Sequence, residues 1–199
     1  MTDISLIDRL LDVIENDIVP KTAGGVAEGD KLFGAAILRK SDRSLVIAET
    51  NHETENPLWH GEVHCLKRFY EMPRAERVET KDALFIATHE PCSLCLSAIT
   101  WTGFDNFYYL FSHEDSRDSF AIPHDLKILK EVFTLDPGGY NAENAYWKSF
   151  SIRRRDTSGR SRSRRMERCW WGRVTWAEFT ACSRTATGSS ITTRSRATS

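Results

Sequence analysis

Two short segments, HGE at residues 60–62 and PCSLC at residues 91–95, place a strong geometric demand on any fold that this chain adopts. Histidine nitrogen and cysteine sulfur are zinc ligands, and two cysteines three residues apart lie on the same side of a helix. Two steps along a regular helix rotate the chain by about 200°, so the histidine and the glutamate of HGE can face one point only where a helix begins. The segments can therefore share a metal only if both start a helix at one place in the fold.

Both segments follow apolar runs that are typical of buried strands. LVIAET at 45–50 precedes the helix that begins at His60, and a run at 84–88 precedes the helix of Cys92. If these two strands run in the same direction, both helices start from the same edge of the sheet. The order helix–strand–strand–helix–strand–helix–strand–helix predicts a layered α/β domain.

The flanking regions give weaker signals. Apolar residues recur at helical spacing over residues 5–19, which predicts an amphipathic helix that ends at Pro20, followed by a glycine-rich loop at 21–30. The residues at 113–115 are expected to be solvated turn residues after a strand. Because the N-terminal helix contains acidic residues and no apolar run is long enough to span a bilayer, we expect a cytoplasmic protein.

Charge divides the chain into two parts. Residues 1–152 combine 15 Lys and Arg with 25 Asp and Glu, whereas residues 153–199 contain 12 Arg and three acidic residues. The second part has no leucine and no lysine, and it shows no sustained apolar period. We therefore predict a domain at 1–152 and an Arg/Ser/Thr-rich tail at 153–199. The tail is either disordered or a non-native product of a shifted reading frame.

The two segments together suggest a catalytic zinc site. His60, Cys92 and Cys95 would supply three ligands, and the fourth position would remain open for water, as it does in catalytic sites. Glu62 could then move a proton between that water and a substrate. A structural zinc site would leave Glu62 without a role, and a coincidental capping histidine with two core cysteines is the remaining alternative.

The segments LFGAAIL, NPLWHGE and HEPCSLCLSAITWTG resemble the cytidine deaminase-like superfamily over roughly residues 30–135. Within it they are most similar to the branch of guanine, cytosine and tRNA adenosine deaminases. The resemblance implies a three-layer α/β/α fold with a five-stranded mixed sheet, and it implies a homodimer.

The resemblance also implies roles for individual residues. His60, Cys92 and Cys95 match the zinc ligands, and Glu62 matches the proton shuttle. Two substrate contacts are implied as well, Asn51 after the second strand and, by a looser match, Asp115. Gly61 and His89 depart from the residues usual in this branch, and His89 is expected either to contact substrate or to be a satisfied loop histidine.

These observations predict a zinc-dependent hydrolytic deaminase that acts on a nucleobase or nucleoside of the guanine or cytosine type. The first alternative is a tRNA adenosine-to-inosine deaminase. It is disfavoured because the acidic part at 1–152 repels a polyanion. The alternative from another class is a non-catalytic zinc-binding scaffold.

Overall fold

A computed structural model describes residues 4–120, 124–134 and 139–152 of the chain. A short 3-10 turn at Thr80–Asp82 precedes the third strand. The helical elements of the described residues are α1 (Ile4–Val13), a π-helical segment (Ile14–Ile18), α2 (Val19–Ala27), α3 (Gly61–Glu71), α4 (Ser93–Trp101), α5 (His113–Phe120) and α6 (His124–Glu131).

Among the described residues, five strands form one mixed sheet. The strands are β1 (Gly34–Arg39), β2 (Leu45–Thr50), β3 (Ala83–His89), β4 (Asn106–Phe111) and β5 (Lys148–Ser151). Their order in the sheet is β2-β1-β3-β4-β5. β1 is antiparallel to both of its neighbours, and the β3–β4 and β4–β5 pairs are parallel.

Alternate residues of the sheet pack into two separate cores, as the two-residue period of a strand requires. Ala36 and Leu38 of β1 belong to the core that the N-terminal helices build. Ala35 and Ile37 belong to the core that α3 and α4 build on the opposite face. Helices therefore cover both faces of the sheet, which confirms the three-layer α/β/α architecture and the five-stranded mixed sheet.

The N-terminal helix continues through Pro20, so the prediction that it ends there is wrong. The π-helical segment follows α1 directly, with the N–H of Val19 bonding to the carbonyl of Ile14, and α2 follows the π-helical segment without a break. Pro20 lies in the first turn of α2, where a residue without an N–H is tolerated. Residues 21–27, which were predicted to be a loop, are helical for this reason.

One element differs from the order of strands and helices predicted from the sequence, and one element extends that order. The residues after β4, expected to be turn residues, form α5. Lys148–Ser151 pairs with β4 as the fifth strand. The short run KSFS has mixed polarity, so its conformation depends on pairing with a neighbouring strand and not on a local apolar pattern.

Ile152, at the predicted domain boundary, is fully buried in the core on the side of the N-terminal helices. The predicted tail at 153–199 lies outside the described residues, so its character stays a prediction. Among the helices that the structure describes, none has the length and apolar character needed to cross a membrane.

Candidate active site

The starts of two helices bring His60, Cys92 and Cys95 together. His60 and Cys92 are the N-cap residues of α3 and α4, with non-helical backbone, and Cys95 lies in the first turn of α4. β2 and β3 both run antiparallel to β1, so they share a direction. The prediction that both helices start at one edge of the sheet is therefore confirmed.

These three side chains, the metal cluster, have the spacing that zinc needs. Nδ1 of His60 lies 3.4 Å from Cys92 Sγ and 3.7 Å from Cys95 Sγ, and the two sulfurs are 3.5 Å apart. Bonds of about 2.3 Å to sulfur and about 2.0 Å to nitrogen, at tetrahedral angles, place ligand atoms roughly 3.5–3.8 Å from one another. Among the described residues no fourth side chain joins the group.

The protonation of the cluster follows from its own hydrogen bonds. The sulfurs of Cys92 and Cys95 share a hydrogen bond, and this contact, together with His60, lowers the pKa of Cys92. The same hydrogen bond and burial raise the pKa of Cys95. The hydrogen bond to Cys92 raises the pKa of His60 to about 9. These shifts favour the thiolate form of Cys92 and the protonated ring of His60.

Glu62 lies beside the cluster in the first turn of α3. Its Oε2 is 3.4 Å from Cys95 Sγ, and the residue is only 5 % exposed. Burial, with a smaller contribution from the Cys92 thiolate, raises the pKa of the carboxyl group to about 7. The helix begins at Gly61, so the histidine and the glutamate of HGE face the same point, as the sequence required.

Gly61 allows the start of α3 to pack directly on the backbone of β1. A Cβ atom at this position would lie 2.7 Å from the carbonyl oxygen of Phe33 and 2.8 Å from the Cα of Gly34. Neither backbone atom can move without displacing the strand. A residue without a side chain therefore fixes the height of His60 and Glu62 above the sheet.

A cavity of about 320 Å³ opens beside the cluster. Its walls combine apolar side chains with ionisable ones, a composition that suits a planar molecule with polar edges. The residues that line it around the cluster include Phe33, Leu58, His89, Glu90, Leu94 and Asp125.

The two predicted substrate contacts lie outside the lining of this cavity. Asn51 is fully buried, and both ends of its side-chain amide bond to Glu53. One oxygen of the Asp115 carboxylate accepts hydrogen bonds from the N–H and the hydroxyl of Ser112 at the start of α5. Contact of either residue with substrate stays a prediction.

His89 and Asp125 are polar residues that the fold brings to the cavity. Burial lowers the pKa of His89 to about 3, so its ring is neutral. Burial likewise raises the pKa of Asp125. Sequence reasoning left the role of His89 open and missed Asp125. α6, which carries Asp125, was predicted as a helix, but nothing local connects that helix to the two metal-binding segments.

We expect zinc uptake to release about two protons per ion near pH 7.5. His60, with a pKa of about 9, and Cys95 must each lose a proton to bind metal, whereas Cys92 is already a thiolate. Apparent affinity should therefore rise with pH through the neutral range, about tenfold per pH unit for each proton released. Zinc titration in weak buffer with a pH indicator measures the stoichiometry, and release of less than one proton contradicts the assignment.

Comparison with known proteins shows which family this chain resembles. The model of the cytidine and deoxycytidylate deaminase zinc-binding region matches residues 19–111. Guanine deaminase of Bacillus subtilis is 28 % identical over 102 residues, which are 50 % of this chain and 62 % of that protein. The match thus spans less than two thirds of the length of this relative.

Two solved structures have a similar fold. The X-ray structure of guanine deaminase from Bacillus subtilis aligns with a TM-score of 0.50 and 23 % identity, covering 67 % of this chain and 86 % of that one. A mutant of the protein NE0047 in complex with 8-azaguanine aligns with a TM-score of 0.51 and 14 % identity, covering 88 % and 85 %. The family model and the relative confirm the predicted resemblance to the cytidine deaminase-like superfamily, and the two solved structures share the fold.

Proposed function

We propose that the chain is a zinc-dependent hydrolase that removes an amino group from a nucleobase or nucleoside of the guanine or cytosine type. His60, Cys92 and Cys95 hold the metal in this proposal, and Glu62 is the catalytic acid and base. The observation that carries it is the buried carboxyl group of Glu62 beside a cluster of three potential zinc ligands. A structural zinc site would have no use for this costly burial of a carboxylate.

Zinc held by these three residues would act as a Lewis acid and would lower the pKa of a water molecule bound to it. Glu62 is placed to take a proton from water at the open side of the cluster and to pass protons to the ring nitrogen and the leaving amine. In the balanced reaction, the oxygen of water adds to the carbon that carries the amine, the C–N bond breaks, ammonia leaves and a carbonyl remains. A pKa of about 7 allows Glu62 to act in both directions near neutral pH.

The cavity suits an uncharged base better than a phosphorylated nucleotide. Phe33 and Leu58 offer apolar surface, while Asp125 offers oxygens that can accept hydrogen bonds from the N–H groups of a base. Lys31 also lines the cavity, but Glu53 already pairs with its ammonium group at 2.8 Å. This lysine therefore adds no unpaired positive charge that could bind a phosphate.

The proposal is tested by loading the full chain with zinc and measuring ammonia release from a panel of bases and nucleosides. Guanine, cytosine, adenine and their nucleosides form the panel. We expect release from at least one guanine-type or cytosine-type compound. A zinc-loaded, folded chain that releases ammonia from no compound of the panel, and from no tRNA, would favour the non-catalytic scaffold.

A tRNA adenosine deaminase would need a basic surface for the phosphate backbone. The domain at 1–152 has a formal charge of −10, from 15 basic and 25 acidic residues, which opposes RNA binding. Filter binding of tRNA to the chain truncated after residue 152 separates the two activities. Tight, salt-sensitive binding by that shortened chain would reverse the preference for a small substrate.

We further propose that the protein is a homodimer in the cytoplasm. α4 carries apolar side chains that face solvent in a single chain, among them Trp101, which is 90 % exposed. Burial of such surface favours association. A reducing compartment also suits a metal site that needs two thiolates. Sedimentation at micromolar concentration tests the dimer, and fractionation of cells tests the location.

A further inference from the structure

We propose that Glu53 is a positioning residue for the zinc site, acting on the ring nitrogen of His60 that faces away from the metal. Nδ1 of His60 points toward the two cysteines, and Nε2 lies 3.5 Å from Oε1 of Glu53. The two nitrogens of one ring thus face the metal cluster on one side and a carboxylate on the other. This inference rests on the zinc site of the proposed function and uses nothing about the substrate.

The carboxylate of Glu53 contacts two neighbours, and Asn51 is the one that fixes its position. Lys31 Nζ donates to Oε1 at 2.8 Å, and Asn51 Nδ2 donates to Oε2 at 2.8 Å. The backbone N–H of Glu53 donates in turn to Asn51 Oδ1 at 3.0 Å, which closes a ring between the two residues. Asn51 is itself anchored to the sheet, because its N–H donates to the carbonyl of Phe33 at 2.8 Å.

A metal-binding histidine needs such a partner for a chemical reason. The ring binds metal in its neutral form, so when Nδ1 is the ligand the remaining proton lies on Nε2, which faces Glu53. A carboxylate at that position fixes the tautomer and the ring orientation and makes Nδ1 a stronger donor to metal. The 3.5 Å separation is a few tenths of an ångström longer than a hydrogen bond, so the contact in this structure is electrostatic.

A surface ion pair between Lys31 and Glu53 is the simpler explanation of the same contacts. The side chain of Lys31 is 49 % exposed, and pairs of this kind add little to stability. The ion pair alone, however, does not explain why the buried side-chain amide of Asn51 forms two hydrogen bonds with Glu53. If the ion pair were the whole role of Glu53, removing Lys31 would have the same consequence as removing the carboxylate charge.

The experiment compares zinc affinity among full-length variants by competition with a chromophoric chelator. Glu53→Gln keeps the size of the side chain and removes its charge, and we expect zinc to bind about 10- to 100-fold more weakly. Lys31→Met removes the ion pair, and Glu55→Gln changes an exposed glutamate in the same loop. Both of these variants should have a zinc affinity within about threefold of the wild-type value. That change is smaller than the loss expected for Glu53→Gln.

Thermal unfolding in the presence of a chelator supplies the second readout. Metal-free Glu53→Gln should unfold at nearly the wild-type temperature, because its effect is on the metal ligand and not on packing. Glu53→Ala is the second variant if the glutamine variant does not fold. Zinc affinity that is unchanged in both variants, or an equal loss of affinity in Lys31→Met, overturns the proposal.

Failure of this inference can be told apart from failure of the proposed function. A wild-type chain that binds zinc but releases no ammonia removes the enzyme, while the loss of zinc affinity in Glu53→Gln would still support the positioning role. Conversely, an active enzyme whose Glu53→Gln variant binds zinc normally removes the positioning role alone.

Discussion

Replacement of Glu62 by glutamine is expected to lower the rate of ammonia release by about 10²- to 10⁴-fold, the usual contribution of a positioned acid and base. Glutamine has nearly the same shape but cannot accept and return a proton. The buried position beside Cys95 should still be filled, so the metal ligands should keep their places. Zinc per chain, measured by atomic absorption, should therefore equal the wild-type value while steady-state turnover falls.

Glu71→Gln is the matched control for this experiment. Glu71 lies on the same helix but is paired with Lys67 and Arg68 on the surface, away from the cluster. Its replacement should leave turnover and zinc content unchanged. If Glu62→Gln retained wild-type turnover, Glu62 would not be the acid and base, and if it lost its zinc, the comparison would instead assign Glu62 a role in holding the metal.

The positions of the metal-binding residues could be predicted because the chemistry restricts them so strongly. Residues two apart in a regular helix, such as the histidine and the glutamate of HGE, point in directions about 200° apart. The two segments can therefore share one metal only if each starts a helix at a common edge of the sheet. The sheet meets that requirement through β1, which is antiparallel to both β2 and β3 and so aligns the strands that precede the two helices. Local pattern and global fold thus agree at this site.

Elements that lack a strong local pattern were harder to predict. Pro20 normally ends a helix, but the π-helical segment before it places the proline in the first turn of α2. α5 is polar almost throughout, so it has no apolar stripe to reveal it. Neither segment carries a local pattern that distinguishes a helix from a loop.

The residues of the cavity wall were harder still to predict from the sequence. Asp125 and Phe33 reach the cavity from segments that are distant in the sequence, and neither is part of a metal-binding motif. Glu53 follows Asn51 by two residues in the sequence and bonds to it. Its contact with the ring of His60, however, forms only in the folded chain. Motifs therefore indicate a class of reaction, whereas the substrate depends on contacts that form only in three dimensions.

The second large effect is expected for Cys95→Ala, which should lose stoichiometric zinc and all measurable ammonia release. Cys95 is fully buried at the centre of the cluster, 3.5 Å from the Cys92 sulfur and 3.7 Å from His60 Nδ1. Two remaining ligands cannot hold zinc tightly, since catalytic sites use three protein ligands and a water. Loss of bound metal also removes the stabilisation that a ligand specific to the folded state confers.

Cys65→Ala separates the loss of a ligand from the loss of a buried thiol. Cys65 is as deeply buried as Cys95, but it packs in the core between the sheet and α3 and is not part of the cluster. Its replacement should cost about 1 kcal/mol in the free energy of unfolding, as typical single substitutions do, and should leave zinc content intact. Cys95→Ala should differ in both respects: its unfolding temperature should no longer rise when zinc is added, whereas that of Cys65→Ala should. Equal zinc content in the two variants would show that Cys95 is a core residue and not a ligand, and the deaminase mechanism would then lose its metal.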